Sequence, residues 1–270
     1  MSTTLFHSVF VAVALLLTVA LSAQAAVVNG GFETGTFAGW DTIGDTSIQS
    51  SSVGISPTEG SFMALLTTLS NDGFGPTIPF SSNRAVGTGD VFFGFFGFSP
   101  RELADMSLSN PDRNSPYFGV SAIKQTVAGH AGDLLSFDFY WLTADVNIGF
   151  DLALLVITPN TSGQKIVTFL NPRTGATTVS PVPLCQHDFH FPGELCTAES
   201  NRTLDWRHFT FILPSTDTFT IGFVAANGAD SLLASAVFVD NVRLSVPQPS
   251  ALALLWVGMI GLLVARRSMR

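Results

Sequence analysis

The chain has 270 residues, with 12 Lys and Arg against 20 Asp and Glu and a formal net charge of −8. Only 12% of residues are charged, while 24 are Phe beside 24 Gly and 14 Pro, a composition of strands and turns rather than helical bundles. The acidic balance argues against nucleic acid as a partner, because phosphates need clustered Lys and Arg.

Residues 9–21 (VFVAVALLLTVAL) are apolar apart from Thr18. The run is shorter than the roughly 20 residues a membrane-spanning helix needs. Ser22-Ala23-Gln24-Ala25 follows with the small-x-small spacing that a signal peptidase accepts. Residues 1–25 therefore read as a signal peptide, and residues 26–245 as one large all-β extracellular domain. That domain opens on Asn29-Gly30-Gly31-Phe32-Glu33 and Gly39-Trp40.

Short apolar or alternating runs bounded by Gly, Pro and Asn predict strands over 60–66, 134–142, 150–158, 164–170, 206–213, 219–225 and 236–244. Alternation within 134–142 places Phe137, Phe139 and Trp141 on one face and Asp138 and Tyr140 on the other. Trp40 and Trp141 are expected in the core.

Two segments exceed a minimal sandwich. Residues 71–116 are rich in Gly, Pro, Ser and Asn around Val91-Phe92-Phe93-Gly94-Phe95-Phe96-Gly97-Phe98. These phenylalanines read as a core-filling strand whose glycines allow close approach, with an exposed sticky patch as the alternative. Residues 172–203 read as a loop without a clear strand, carrying Cys185 and Cys196. In an exported chain such a pair is expected to form a disulfide, with free thiols as one alternative. The same segment holds His187 and His190, so zinc is the competing reading, although the spacing matches no strong zinc template.

The tail begins at Val246-Pro247-Gln248-Pro249-Ser250, where the two prolines stop the preceding strand. An uncharged stretch of helix formers over 251–265 follows, then Arg266, Arg267 and Arg270, which the positive-inside bias keeps on the cytoplasmic side. The proline frame, short transmembrane helix and arginine pair resemble the PEP-CTERM sorting signal, with Gln248 where that family usually carries Glu. The resemblance implies recognition by an exosortase after signal peptidase has acted. It also implies a membrane-associated precursor that ends at the cell surface or in the extracellular matrix, in the company of exopolysaccharide. A plain C-terminal anchor is the alternative. Without the three tail arginines, nine basic residues face 20 acidic ones, a balance that suits calcium or simply solubility outside the cell.

The opening N-G-G-F-E…G-W, taken with the closing Val239-Asp240-Asn241-Val242-Arg243-Leu244, resembles the galactose-binding-like, carbohydrate-module type of jelly-roll sandwich. That resemblance implies neighbouring first and last strands. It further implies a structural calcium held by Glu33, Asp240, the Gly31 carbonyl and a carbonyl near Gly60 or Ser61. Solvated or hydrogen-bonded turn residues are the other reading of these positions. Modules of this type stack sugars on exposed aromatic rings, which makes Tyr140, Trp206 and Tyr117 candidate platforms with Asp138 alongside Tyr140; half-buried packing is the alternative. Catalysis has little support. Glu194, Glu199 and Asp205 sit in or beside the presumed loop, where a charged face suffices, and His187, His190 and His208 lack a nucleophile elbow. The sequence thus describes a non-enzymatic, exported surface or matrix protein. A lectin-like carbohydrate-binding module is the alternative, with a glycoside hydrolase behind both.

Overall fold

The computed structural model describes residues 27–69, 85–87, 89–99, 101–102, 118–143, 151–170, 179–184, 198–203, 206–227 and 235–246. Its strands are β1 (Asp41–Ile43), β2 (Asp45–Gln49), β3 (Met63–Thr67), β4 (Phe118–Gly129), β5 (Leu134–Thr143) and β6 (Leu152–Pro159). They continue as β7 (Ile166–Phe169), β8 (Val179–Leu184), β9 (Ala198–Thr203), β10 (Arg207–Ile212), β11 (Asp217–Asn227) and β12 (Ser235–Ser245). Sheet A runs β1-β4-β11-β6-β7. Sheet B runs β2-β3-β12-β5-β9-β8, with β10 also paired to β5. Neighbouring strands pair antiparallel, for example β4 with β11 and β5 with β12. The molecule is an all-β, jelly-roll-type sandwich, as expected. The signal peptide, the tail from Pro247 to Arg270, Tyr117 and both cysteines lie outside the described residues. No helix among the described residues is long and apolar enough to cross a membrane.

Alternation builds the space between the sheets. Phe137, Phe139 and Trp141 of β5 meet Phe219, Ile221 and Phe223 of β11, with Val237 and Val239 of β12 beside them. Phe137 and Phe223 pack edge to face at 4.8 Å. Trp40 and Trp141 are buried, as their pattern predicts.

Some strands are apolar on both faces, and a second layer explains each. In β6 every residue from Leu152 to Ile157 is buried, because the outer face of sheet A is covered too. The cover is the Phe-rich segment, where the expected strand is instead a wide helical turn over Gly89–Phe95. Its Phe92, together with Phe96 and Phe98 just beyond, packs on Val120, Leu154, Val156 and Val224. Bulky side chains interleaved with glycine satisfy a strand pattern and a turn pattern alike. Gly222 admits this cover: a Cβ there would stand 2.4 Å from the Phe96 ring. The phenylalanines are thus largely buried, in a satellite layer outside the main core, and Phe93 remains 42% exposed.

Three further differences from the sequence reading concern strands and the opening motif. The 172–203 segment contains β8 and β9. Strand β4 forms a central ladder in sheet A although no apolar run announces it. The opening motif is a chain of turns rather than a strand, yet it meets the last strand as expected, with Val242 N–H donating to the Gly30 carbonyl at 3.0 Å. Phe32 adopts a left-handed φ of 58° and buries its ring between Phe37 and Trp40. A strained φ of that kind costs about 1–3 kcal/mol, and burying an aromatic ring offsets it. The Gln125 side chain fastens this strap, accepting from Val28 N–H at 2.7 Å and donating to the carbonyls of Val28 and Gly39 at 2.9 Å each.

Candidate functional site on the outer face of sheet B

The outer face of sheet B has an apolar half. Met63 and Leu65 of β3, Tyr140 and Leu142 of β5, and Ala236 and Phe238 of β12 form one layer under Val53, Ile55 and Trp206. Tyr140 is only 5% exposed and meets Trp206 edge to face at 6.0 Å. It is therefore the packed support of Trp206 and presents no open ring face of its own, which corrects its expected part as a platform. Trp206 is half-buried, and its Nε1–H donates to the Ser56 carbonyl at 2.8 Å, pinning the loop that covers the layer.

Two residues along β5 the face turns polar. Asp138 pairs across the ladder with His208 of β10 on one side and Asp240 of β12 on the other. Its Oδ1 lies 2.7 Å from His208 Nδ1, and its Oδ2 accepts from Asn241 Nδ2 at 3.0 Å. Burial pushes the Asp138 carboxyl upward, but hydrogen bonds from Asn241, His208 and Thr58 outweigh it and hold the group below the usual carboxylate range. The Asn241 contact needs a break in the ladder. The β5–β12 register shifts between Asp240 and Arg243, and Asn241 takes a φ of 55°, so Asp240 and Asn241 both serve this face.

Asp240 is fully buried. Its Oδ2 accepts from Thr58 N–H at 2.7 Å, Thr58 Oγ1 at 3.0 Å and Glu59 N–H at 3.0 Å. Burial nevertheless raises its pKa against the hydrogen bonds from Glu59, Asn241 and Thr58. Glu33 makes a similar clasp, accepting from Ser61 N–H and Phe62 N–H at 3.0 Å. Gly60 leaves room for it: with φ at 61°, a Cβ there would lie 2.2 Å from the Glu33 carboxyl carbon. Gly31, Glu33, Gly60 and Asp240 are therefore gathered at one corner, with Glu59, which pairs with Arg243, as a member the sequence reading missed. A Cβ on Gly31 would stand 3.4 Å from Glu59 Oε2 and 3.9 Å from Asp240 Oδ1.

The donor chemistry of this corner suits a hard cation, since carboxylate and carbonyl oxygens are what calcium takes. As the side chains stand, however, the Glu33 and Asp240 carboxylates accept from backbone amides and Glu59 is paired with Arg243. Among the described residues no three side chains of metal-ligating type are grouped to hold an ion.

The structure thus brings Asp138, Tyr140 and Trp206 onto one face, while Tyr117 lies outside the described residues. It adds His208 and Asn241, which strand register and its shift bring beside Asp138, and Thr58, which the loop before β3 brings there. No protein-family profile matches the sequence, and no curated protein matches it. Among solved structures the chain is similar to TmCBM61 in complex with β-1,4-galactotriose, at 12% identity and a TM-score of 0.40 over 83% of this chain and 98% of that one. It is also similar to the K1 cleaved adhesin domain of Lys-gingipain from Porphyromonas gingivalis W83, at 12% and 0.40 over 81% and 96%. A third is the non-crystalline cellulose specific module CBM28, at 18% and 0.37 over 81% and 93%. These identities are too low to establish kinship.

Proposed function

We propose that the mature domain is a non-catalytic carbohydrate-binding module that engages a glycan chain on the outer face of sheet B. The observation that supports this is the half-buried Trp206, braced from beneath by Tyr140 and followed by hydrogen-bonding groups on the same face. A pyranose offers an apolar face to an indole and hydroxyls to its neighbours, so a braced ring beside polar side chains matches both. Affinity electrophoresis through gels containing neutral and charged polysaccharides tests it. Retardation by at least one, lost in Trp206→Ala, is the expected result. Free mobility in every gel rejects the reading, and release of reducing sugar from a retarding polymer would make the protein a hydrolase.

The chain's address supports a companion proposal. The protein is exported through its signal peptide, and its tail is processed by an exosortase near Pro249, leaving the module at the surface among exopolysaccharide. The Val246–Ser250 frame and Arg266–Arg267 carry this reading. C-terminal peptide mapping of the surface fraction should find no peptide containing Trp256; full-length protein there would make the tail an ordinary anchor. Calcium is the proposed structural ion at this corner; to take it, Glu33 and Asp240 would exchange their amide hydrogen bonds for the cation, with the Gly31 and Gly60 carbonyls alongside. It would supply positive charge where a buried carboxylate otherwise lacks it.

A further inference from the structure

His208 stands two residues beyond Trp206, which immediately precedes β10. Trp206 lies against Tyr140 and His208 against Asp138, two residues apart on one face of β5, a separation of about 6.5–7 Å. The His208 side chain is 57% exposed although Nδ1 is tied to Asp138. A carboxylate can only accept, so in the 2.7 Å contact with Asp138 Oδ1 the proton belongs to His208 Nδ1. A neutral imidazole so tied has one bare nitrogen left, Nε2, on the far side of the ring from Asp138. Asn241 donates to the other oxygen of Asp138 at 3.0 Å, a second tie that keeps the carboxylate turned toward the ring.

The charges of this face restrict which ligands can approach. Asp138, Glu59 and Glu33 belong to it, Asp240 lies buried beneath it, and Arg243 is already paired with Glu59. Arg207, next to His208 in sequence, pairs with Phe139 across the ladder and so projects from the opposite side of β10. A uronate or sulfate group would meet charge of its own sign, whereas an uncharged sugar pays no such cost.

We propose that His208 is the residue that reads the ligand: its Nε2 accepts a hydrogen bond from a hydroxyl of an uncharged hexose unit lying beside it on Trp206, with Asp138 as the positioning residue. This rests on the glycan-binding reading above. It adds the ligand's charge class and the group that recognises it.

The test uses the mature protein with histidine labelled by ¹⁵N, at a pH well above imidazole titration. The probes are cellohexaose, mannohexaose, galactohexaose and oligogalacturonate of matching length. His208 should show the Nδ1–H tautomer, and its Nε2 resonance should move when a neutral probe binds. His208→Phe keeps an aromatic ring at an exposed position and should weaken the best neutral probe roughly tenfold, the worth of one hydrogen bond. Asp138→Asn should redistribute the tautomers and weaken binding less. Oligogalacturonate should bind at least tenfold more weakly than the best neutral probe. An Nε2–H tautomer in the wild type overturns the proposal, as does undiminished binding by His208→Phe or equal binding of the uronate. In those cases the glycan reading stands. If the wild type binds none of the neutral probes, this proposal falls, and the polysaccharide gels decide the glycan reading separately.

Discussion

On the outer face of sheet A, Phe92, Phe96 and Phe98 lie over Leu154, Val156 and Val224. On the outer face of sheet B, the cover formed by Trp206 and the loop at residues 53–55 stops at Tyr140, and Asp138 and His208 continue past its edge. Both faces carry an apolar half, so hydrophobicity alone does not separate them. What differs is the residue that ends the cover. Sheet A is capped by Phe rings without polar handles. Sheet B is capped by an indole that bonds Ser56 and leaves hydrogen-bonding groups beside it. A buried lid serves stability, whereas a lid with a polar margin can also recognise a ligand.

Substitutions in the two lids should separate these roles most sharply. Phe92→Ala empties a fully buried position and should cost about 3–5 kcal/mol in urea unfolding, whereas Phe93→Ala should stay within about 0.5 kcal/mol. Equal effects would mean that the turn does not seal sheet A. Calcium bears on the sheet B corner alone. At about 100-fold above its Kd it should stabilise the domain by about 2.7 kcal/mol. The melting temperature should rise with calcium and fall with chelator, and Glu33→Gln should abolish the response. A melt indifferent to chelator, with no ion found by elemental analysis, would show that the amide clasps suffice.

Trp206→Ala should cost less than Phe92→Ala, about 1–2 kcal/mol for a half-buried ring. It should abolish retardation by polysaccharide, which Phe93→Ala should leave intact. The finest distinction lies between the paired aspartates. Asp138 has a lowered folded pKa, so its stabilising contribution is present above the ordinary carboxylate range and is lost as pH falls through the folded value. The deficit of Asp138→Asn should therefore shrink in acid. Asp240 has a raised folded pKa, so the wild type loses stability as pH rises from the ordinary carboxylate range through the folded value. In chelator, Asp240→Asn should gain on the wild type over that window. Denaturant titrations across pH check both signs, and parallel curves would refute the assignment.

Much of this architecture was legible in the sequence. Strict alternation in β5 marks Phe137, Phe139 and Trp141 as core and puts Asp138 and Tyr140 on the other face, and the structure keeps that division. Strand β4 was hidden because Lys124, Gln125 and Thr126 interrupt its apolar pattern. Gln125 faces inward for the strap it holds, a reason that lies outside its own strand. Strand β8 was hidden by Pro181 and Pro183, which suit a strand with a free edge and argue against a central one. Site residues divide the same way. Asp138, Tyr140 and Trp206 could be named from residue type and alternation. His208 and Asn241 become members through register, and Asn241 through a bulge that alternation cannot foresee.

The strap at the start of the domain has a consequence for the order of events during synthesis. Val28 is fastened to Gln125, 97 residues further on, and Gly30 is held by Val242 in the last strand. Thr58 likewise waits for Asp240, 182 residues away. A chain made from its N-terminus therefore carries Phe32, Phe37 and Trp40 long before β11 and β12 exist to receive them. Such distant pairings slow folding and leave sticky surface bare in the interval. The nascent chain should be a client for a holding chaperone until its final strand arrives. Protease resistance at the strap would then report the moment at which the whole sandwich has closed.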